Sequence, residues 1–282
     1  MAVLVGILVA ASFGSGDFLG GLAARRAPTP TVLGWSQLVA LAGAVAVAFA
    51  GGGTATPRDL ALGAGSGVLN VAALGCLYRA LAIGRNGQVA PVTAVIGSLI
   101  PVTWGVARGE RPSTAVVVGI ALAVVAGAMV SSERVERHGH FVRRAMPLAV
   151  AAGIGFGTSL ILFASTSRHS GFWPVLSARA CAMVCVVLVV AATRATARRP
   201  PASAKGTPRG QAALAGLLDV SGAALLLVAL RHGLTATVAP VAALAPGFTV
   251  AHAWWYLRER ASPVQVAGLA LALGGLFLIA LG

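Results

Sequence analysis

The stretch Ala80-Leu81 … Gly84 … Val89-Ala90-Pro91-Val92 … Glu110-Arg111 … Ser113 … Gly119 returns as Ala229-Leu230 … Gly233 … Val238-Ala239-Pro240-Val241 … Glu259-Arg260 … Ser262 … Gly268, each position displaced by 149. Matches this numerous at one offset, without a gap, mark a duplicated unit. The unit is apolar: 57% of the residues are hydrophobic, 10% are charged, and apolar runs of about twenty residues, the length needed to cross a bilayer core, follow one another along the chain. The reading is an all-α integral membrane protein of ten transmembrane helices, at 2–24, 31–50, 60–83, 88–107, 113–131, 146–167, 172–193, 211–232, 236–256 and 262–281.

Five spans per copy is an odd number, so the second copy enters the membrane with the opposite orientation. This predicts two inverted five-helix repeats, 1–131 and 146–282, joined by a basic linker over 132–145. The first apolar run counts as a span and not a cleaved leader. No basic residue precedes it, and its Phe13-Gly14-Ser15 matches Phe156-Gly157-Thr158 of span 6 at an offset of 143. The change of offset fits a longer linker after span 7 than after span 2.

Charge agrees with inversion. Loops after odd-numbered spans, with their flanking turns, hold fifteen of the 21 Lys and Arg, whereas the other side holds six, including Arg179 inside span 7. The positive-inside rule then places both termini outside. The net charge of +14 is explained by orientation signals and contact with anionic headgroups. Nucleic acid is not an expected partner, because the basic residues sit in short loops without interleaved aromatics.

Most other motifs reduce to packing. Cys76, Cys181 and Cys185 lie in apolar spans without a CxxC pair. Gly63-Ala64-Gly65-Ser66-Gly67 lacks the Lys-Ser/Thr of a phosphate loop and reads, like Gly16-xxx-Gly20 and Gly153-xxx-Gly157, as a close helix contact. No catalytic set, metal cluster or cofactor motif is evident, so no enzyme activity is expected.

Ionisable groups inside spans are expensive unless paired or facing a wet cavity, which makes each a candidate site. Asp17 in span 1 and Asp219 in span 8 are the carboxylates deepest in the spans, and Asn70 lies 149 residues before Asp219. Asp17 either binds solute or proton, or bonds to neighbouring backbone; Arg179 is read as pairing with a carboxylate or a lipid phosphate. His252 in span 9 is read as a solute or proton site unless it is a packing residue. Arg79 and the cluster Trp104, Trp254, Trp255 and Tyr256 read as interfacial anchors. Pro91 and Pro101 in span 4, with Pro240 and Pro246 in span 9, predict paired hinges, with kinked helices or helices that begin at the first proline.

The chain resembles the drug/metabolite transporter superfamily, in particular its EamA-type ten-helix members. The resemblance rests on Tyr78-x-Ala80-Leu81-x-x-Gly84, Val89-Ala90-Pro91-Val92 and Gly109-Glu110-Arg111-Pro112-Ser113, with Val238-Ala239-Pro240-Val241 and Arg258-Glu259-Arg260-Ala261-Ser262 in the second copy. Arg258 replaces the glycine of Gly-Glu-Arg, and the second copy lacks the tyrosine. The resemblance implies a cytoplasmic (inner) membrane secondary transporter that exports a small metabolite, amino-acid-like or otherwise polar or amphipathic, by alternating access. It also implies cytoplasmic termini, against the charge count. The expected partners are the solute, protons and membrane lipid, with monomer and homodimer both open. A flippase for a lipid-linked headgroup, with Arg179 on the phosphate, is the alternative of the same fold.

Overall fold

The computed structural model describes residues 2–84, 86–107, 109, 113–131, 139–196, 208–231, 245–258 and 263–281. Among these it forms ten α-helices: α1 (Ala2–Ala24), α2 (Thr29–Gly51), α3 (Pro57–Ile83), α4 (Asn86–Ala107), α5 (Thr114–Ser131), α6 (Gly139–Ala164), α7 (Trp173–Thr196), α8 (Arg209–Arg231), α9 (Ala245–Leu257) and α10 (Pro263–Leu281). Six of them, α1 to α3 and α6 to α8, are long and apolar enough to cross a membrane. Large apolar side chains such as Phe49, Leu188 and Trp255 face outward, while small ones, among them Ala40, Ala44, Ala149 and Ala152, are buried alongside Leu77, Tyr78 and Leu81. That distribution suits lipid outside and close helix contact inside.

Helix ends depart from the hydropathy reading where polar chemistry sets them. α3 begins at Pro57, ahead of its apolar run, because the Thr56 hydroxyl accepts from the Asp59 amide at 3.2 Å and the Asp59 carboxylate accepts from the Thr56 amide at 3.1 Å. α6 begins at Gly139 and takes in 139–145 of the expected linker. α4 corrects one expectation about proline. It starts at Asn86, before Pro91, and runs through Pro101 to Ala107. Each proline removes one backbone bond, and packing on α6 and α9 holds the remainder of the helix. Pro246 is the second residue of α9, a position where a missing amide donor costs little. Pro240 lies outside the described residues.

Contacts between the halves recur with the halves exchanged. α3 packs on α6 and α7, and α8 on α1 and α2; α4 packs on α6, and α9 on α1. The exchange holds at single residues. Gly67 of α3 lies against the backbone of Ala178 in α7, and Gly216 of α8, 149 positions on, lies against the backbone of Ser36 in α2; a methyl group at either glycine would overlap its neighbour. Ser66 and Ser159 touch through their hydroxyls at 2.8 Å, and their equivalents Ala215 and Gly16 also meet between α8 and α1.

The turns sort onto two faces. Arg25 after α1 donates to the Leu81 carbonyl at the end of α3 at 3.3 Å, and Arg209 at the start of α8 lies 5.2 Å over the ring of Trp35 near the start of α2. Elsewhere, the Thr54 amide after α2 donates to the His169 carbonyl after α6 at 3.0 Å, and the Ser167 amide donates to Asp59 at 2.8 Å. The 23 residues of α2 separate these faces by about 34 Å.

Candidate functional site

A cavity of about 330 Å³ lies among α1, α3, α6, α7 and α8. Its polar wall is Asp17, Ser66, Asn70, Ser159, Arg179 and Asp219, and its aromatic wall is Phe13, Phe156 and Phe163. Arg179, in the second turn of α7, extends its guanidinium so that Nη1 lies 2.7 Å from Asp219 Oδ2 and donates to Asn70 Oδ1 at 3.3 Å. The charged side chains are only 8% and 13% exposed. Low exposure strengthens such a pair and makes the loss of either partner expensive. Two residues equated by the 149 offset thus meet at one cation, and the link joins the first half of the chain to the second.

Asp17 stands in the same wall with no hydrogen-bond or ion-pair partner among the described residues. It also lines a second cavity of about 250 Å³ formed with α4 and α9, whose walls include Thr93, Gly97, Pro246 and Thr249. The two cavities share Asp17, Phe156 and Leu160. They follow one another along α3, which offers residues 66–74 to the first and Leu77 and Leu81 to the second.

Tyr78 was read from the sequence only as a signature residue. Its ring is buried against Gly20, and its phenol is within electrostatic reach of Asp17, Asp219 and Arg179. Ser66, Asn70, Leu74 and Tyr78 recur every four residues and so share one face of α3. That spacing is the signal by which Ser66 and Tyr78 were legible.

His252 is not brought to either cavity wall. Its Nδ1 is 2.6 Å from the Phe248 carbonyl, and its ring stacks on Phe18 at 5.5 Å between α1 and α9. Trp104, Trp254, Trp255 and Tyr256 are exposed near the ends of α4 and α9. The signature residues Glu110, Arg111, Glu259 and Arg260 lie outside the described residues.

Residues 143–281, covering α6 to α10, match the model of the EamA-like transporter family. The chain belongs to the EamA-like transporter family. It is accordingly an integral, multi-pass membrane transporter of the drug/metabolite type. The matched segment lies in the second sequence copy. A solved crystal structure is similar over 98% of this chain and 95% of its own length, with a TM-score of 0.58 and 18% identity, which is a likeness of fold alone. No curated protein matches the sequence significantly.

Proposed function

We propose that this protein is a secondary transporter of the cytoplasmic (inner) membrane that exports a small polar or amphipathic solute by alternating access. The carrying observation is the buried Asn70–Arg179–Asp219 link beside Asp17 in a cavity of about 330 Å³ between the halves. Such a volume lies at the lower end of small-molecule sites, which favours a metabolite over a larger ligand. The frame is ten spans in two inverted repeats. Support comes from the exchanged contacts Gly67·Ala178 and Gly216·Ser36 and from the sorting of odd and even turns onto separate faces.

Asp17 takes the solute or a proton, because it alone among the three charged groups of the wall lacks a partner. The Arg179–Asn70 hydrogen bond, with Arg179 anchored by Asp219, joins the halves in one arrangement and exchanges partners as they rock. α4 and α9 supply the wall of the second cavity, and α4 carries Pro91 and Pro101 inside the helix, which supports bending there as one cavity closes and the other opens. Metabolite profiling of cells overproducing the wild type against the Asp219→Ala variant tests the reading. One or a few metabolites should be depleted inside and enriched outside only with the wild type, while profiles identical to an empty-vector strain refute export.

A further inference from the structure

The strongest constraint on what the cavity accepts is its charge. Its wall holds two carboxylates and one guanidinium, and the guanidinium is already engaged at 2.7 Å by Asp219 and at 3.3 Å by Asn70. An anionic solute would have to displace Asp219 from Arg179 and leave two carboxylates without a cation. A zwitterion meets the same obstacle, since its own carboxylate finds no free positive group among the described residues of the wall. A solute with one positive charge meets none of these costs. It supplies what Asp17 lacks, in a low-dielectric setting where an unpartnered carboxylate is costly.

We propose that the transported solute is an organic cation, a protonated amine with an apolar body, whose ammonium group is held by Asp17. This rests on the transport reading and narrows it. Phe13 stands one turn before Asp17 on the same face of α1, and Phe156 lines both cavities with it. Aromatic faces add cation–π attraction to the ion pair and accept the apolar body of the solute. Because Asp17 borders both cavities, an ammonium group bound there sits where each cavity can be reached without changing its carboxylate partner.

The test is equilibrium dialysis of purified full-length protein in lipid nanodiscs against labelled phenethylamine, phenylalanine and 3-phenylpropionate, with empty nanodiscs subtracted. These probes share a ring and differ in charge. Phenethylamine is expected to bind tightest, and Asp17→Asn to weaken it by at least about thirty-fold, the lower bound for removing one partner of a buried charge pair. Tighter binding of phenylalanine or phenylpropionate overturns the cation class while leaving the cavity a solute site. Undiminished phenethylamine binding by a folded Asp17→Asn protein overturns the role of Asp17. If none of the three probes binds, the inference fails, and metabolite profiling decides the transport reading separately. The wild-type series needs no variant, so it stands even if Asp17→Asn does not fold.

Discussion

Replacing Arg179 by Met keeps the apolar stem of the side chain and removes the charge that joins Asn70 to Asp219. At 2.7 Å and an effective dielectric of about 20, the attraction between the two charges is about 6 kcal/mol. Desolvation offsets much of that in the wild type. In Arg179→Met the offset remains without the attraction, because Asp219 stays buried beside Asp17. The expected loss of stability is about 3–5 kcal/mol, the range for removing one partner of a buried pair. Asp219→Asn should cost less, since an amide oxygen still accepts from Arg179, and the double variant should recover at least about 2 kcal/mol of the summed losses. Unfolding of the purified protein in mixed micelles by SDS titration, followed by tryptophan fluorescence, measures all four corners of the cycle. Additive losses, or a cost for Arg179→Met below about 0.5 kcal/mol, would refute the reasoning that this pair is buried and coupled.

Other consequences are separable. Gly67→Ala and Gly216→Ala should each lower thermal stability by about 1–3 kcal/mol through overpacking, whereas Gly210→Ala, with open space around the added methyl group, should stabilise α8 by up to about 1 kcal/mol. Ser66→Ala and Ser159→Ala break a reciprocal contact in which each hydroxyl donates to the other residue's carbonyl; each should cost about 0.6–1.7 kcal/mol in micelle unfolding, and the double variant little more than one. Asp59→Ala removes both the cap of α3 and the tether to Ser167, with an expected loss of about 1–2 kcal/mol by thermal melting. Pro101→Ala should slow transport in proteoliposomes while leaving solute affinity within about two-fold, and unchanged transport kinetics would argue against a hinge in α4.

The helices were legible because a bilayer leaves few solutions to the backbone: an apolar run long enough to span must bond internally. Their ends were not, because the Thr56–Asp59 cap depends on local polar contacts that hydropathy ignores. Asn70 and Asp219 stood out as polar groups at equivalent positions in apolar spans, and the structure brings them to a common partner. What the sequence left open was the rotation of each helix about its axis. That rotation turns Arg179 into the cavity, sets Ser66 against Ser159, and buries Tyr78 near the charges. It also directs His252 to its own helix, where the Phe248 carbonyl holds it. No periodicity in α9 announces that outcome.

The duplication supplies the frame, and the chemistry lies where the copies differ. Counted by the 143 offset, Asp17 corresponds to Leu160 and Arg179 to Ser36; by the 149 offset, Asp219 corresponds to Asn70. Asp17 and Leu160 both stand at the junction of the two cavities, one charged and one apolar. If the halves exchange roles between an inward-open and an outward-open state, identical copies would make those states equal in protein free energy, and the bundle itself would prefer neither. Each substitution that breaks the equivalence tilts that balance. Placing the carboxylate in α1 and the guanidinium in α7, with no charge at Leu160 or Ser36, gives the two end states different surroundings for the same solute. On the proposed alternating-access cycle, these positions are among those that make facing in and facing out unequal.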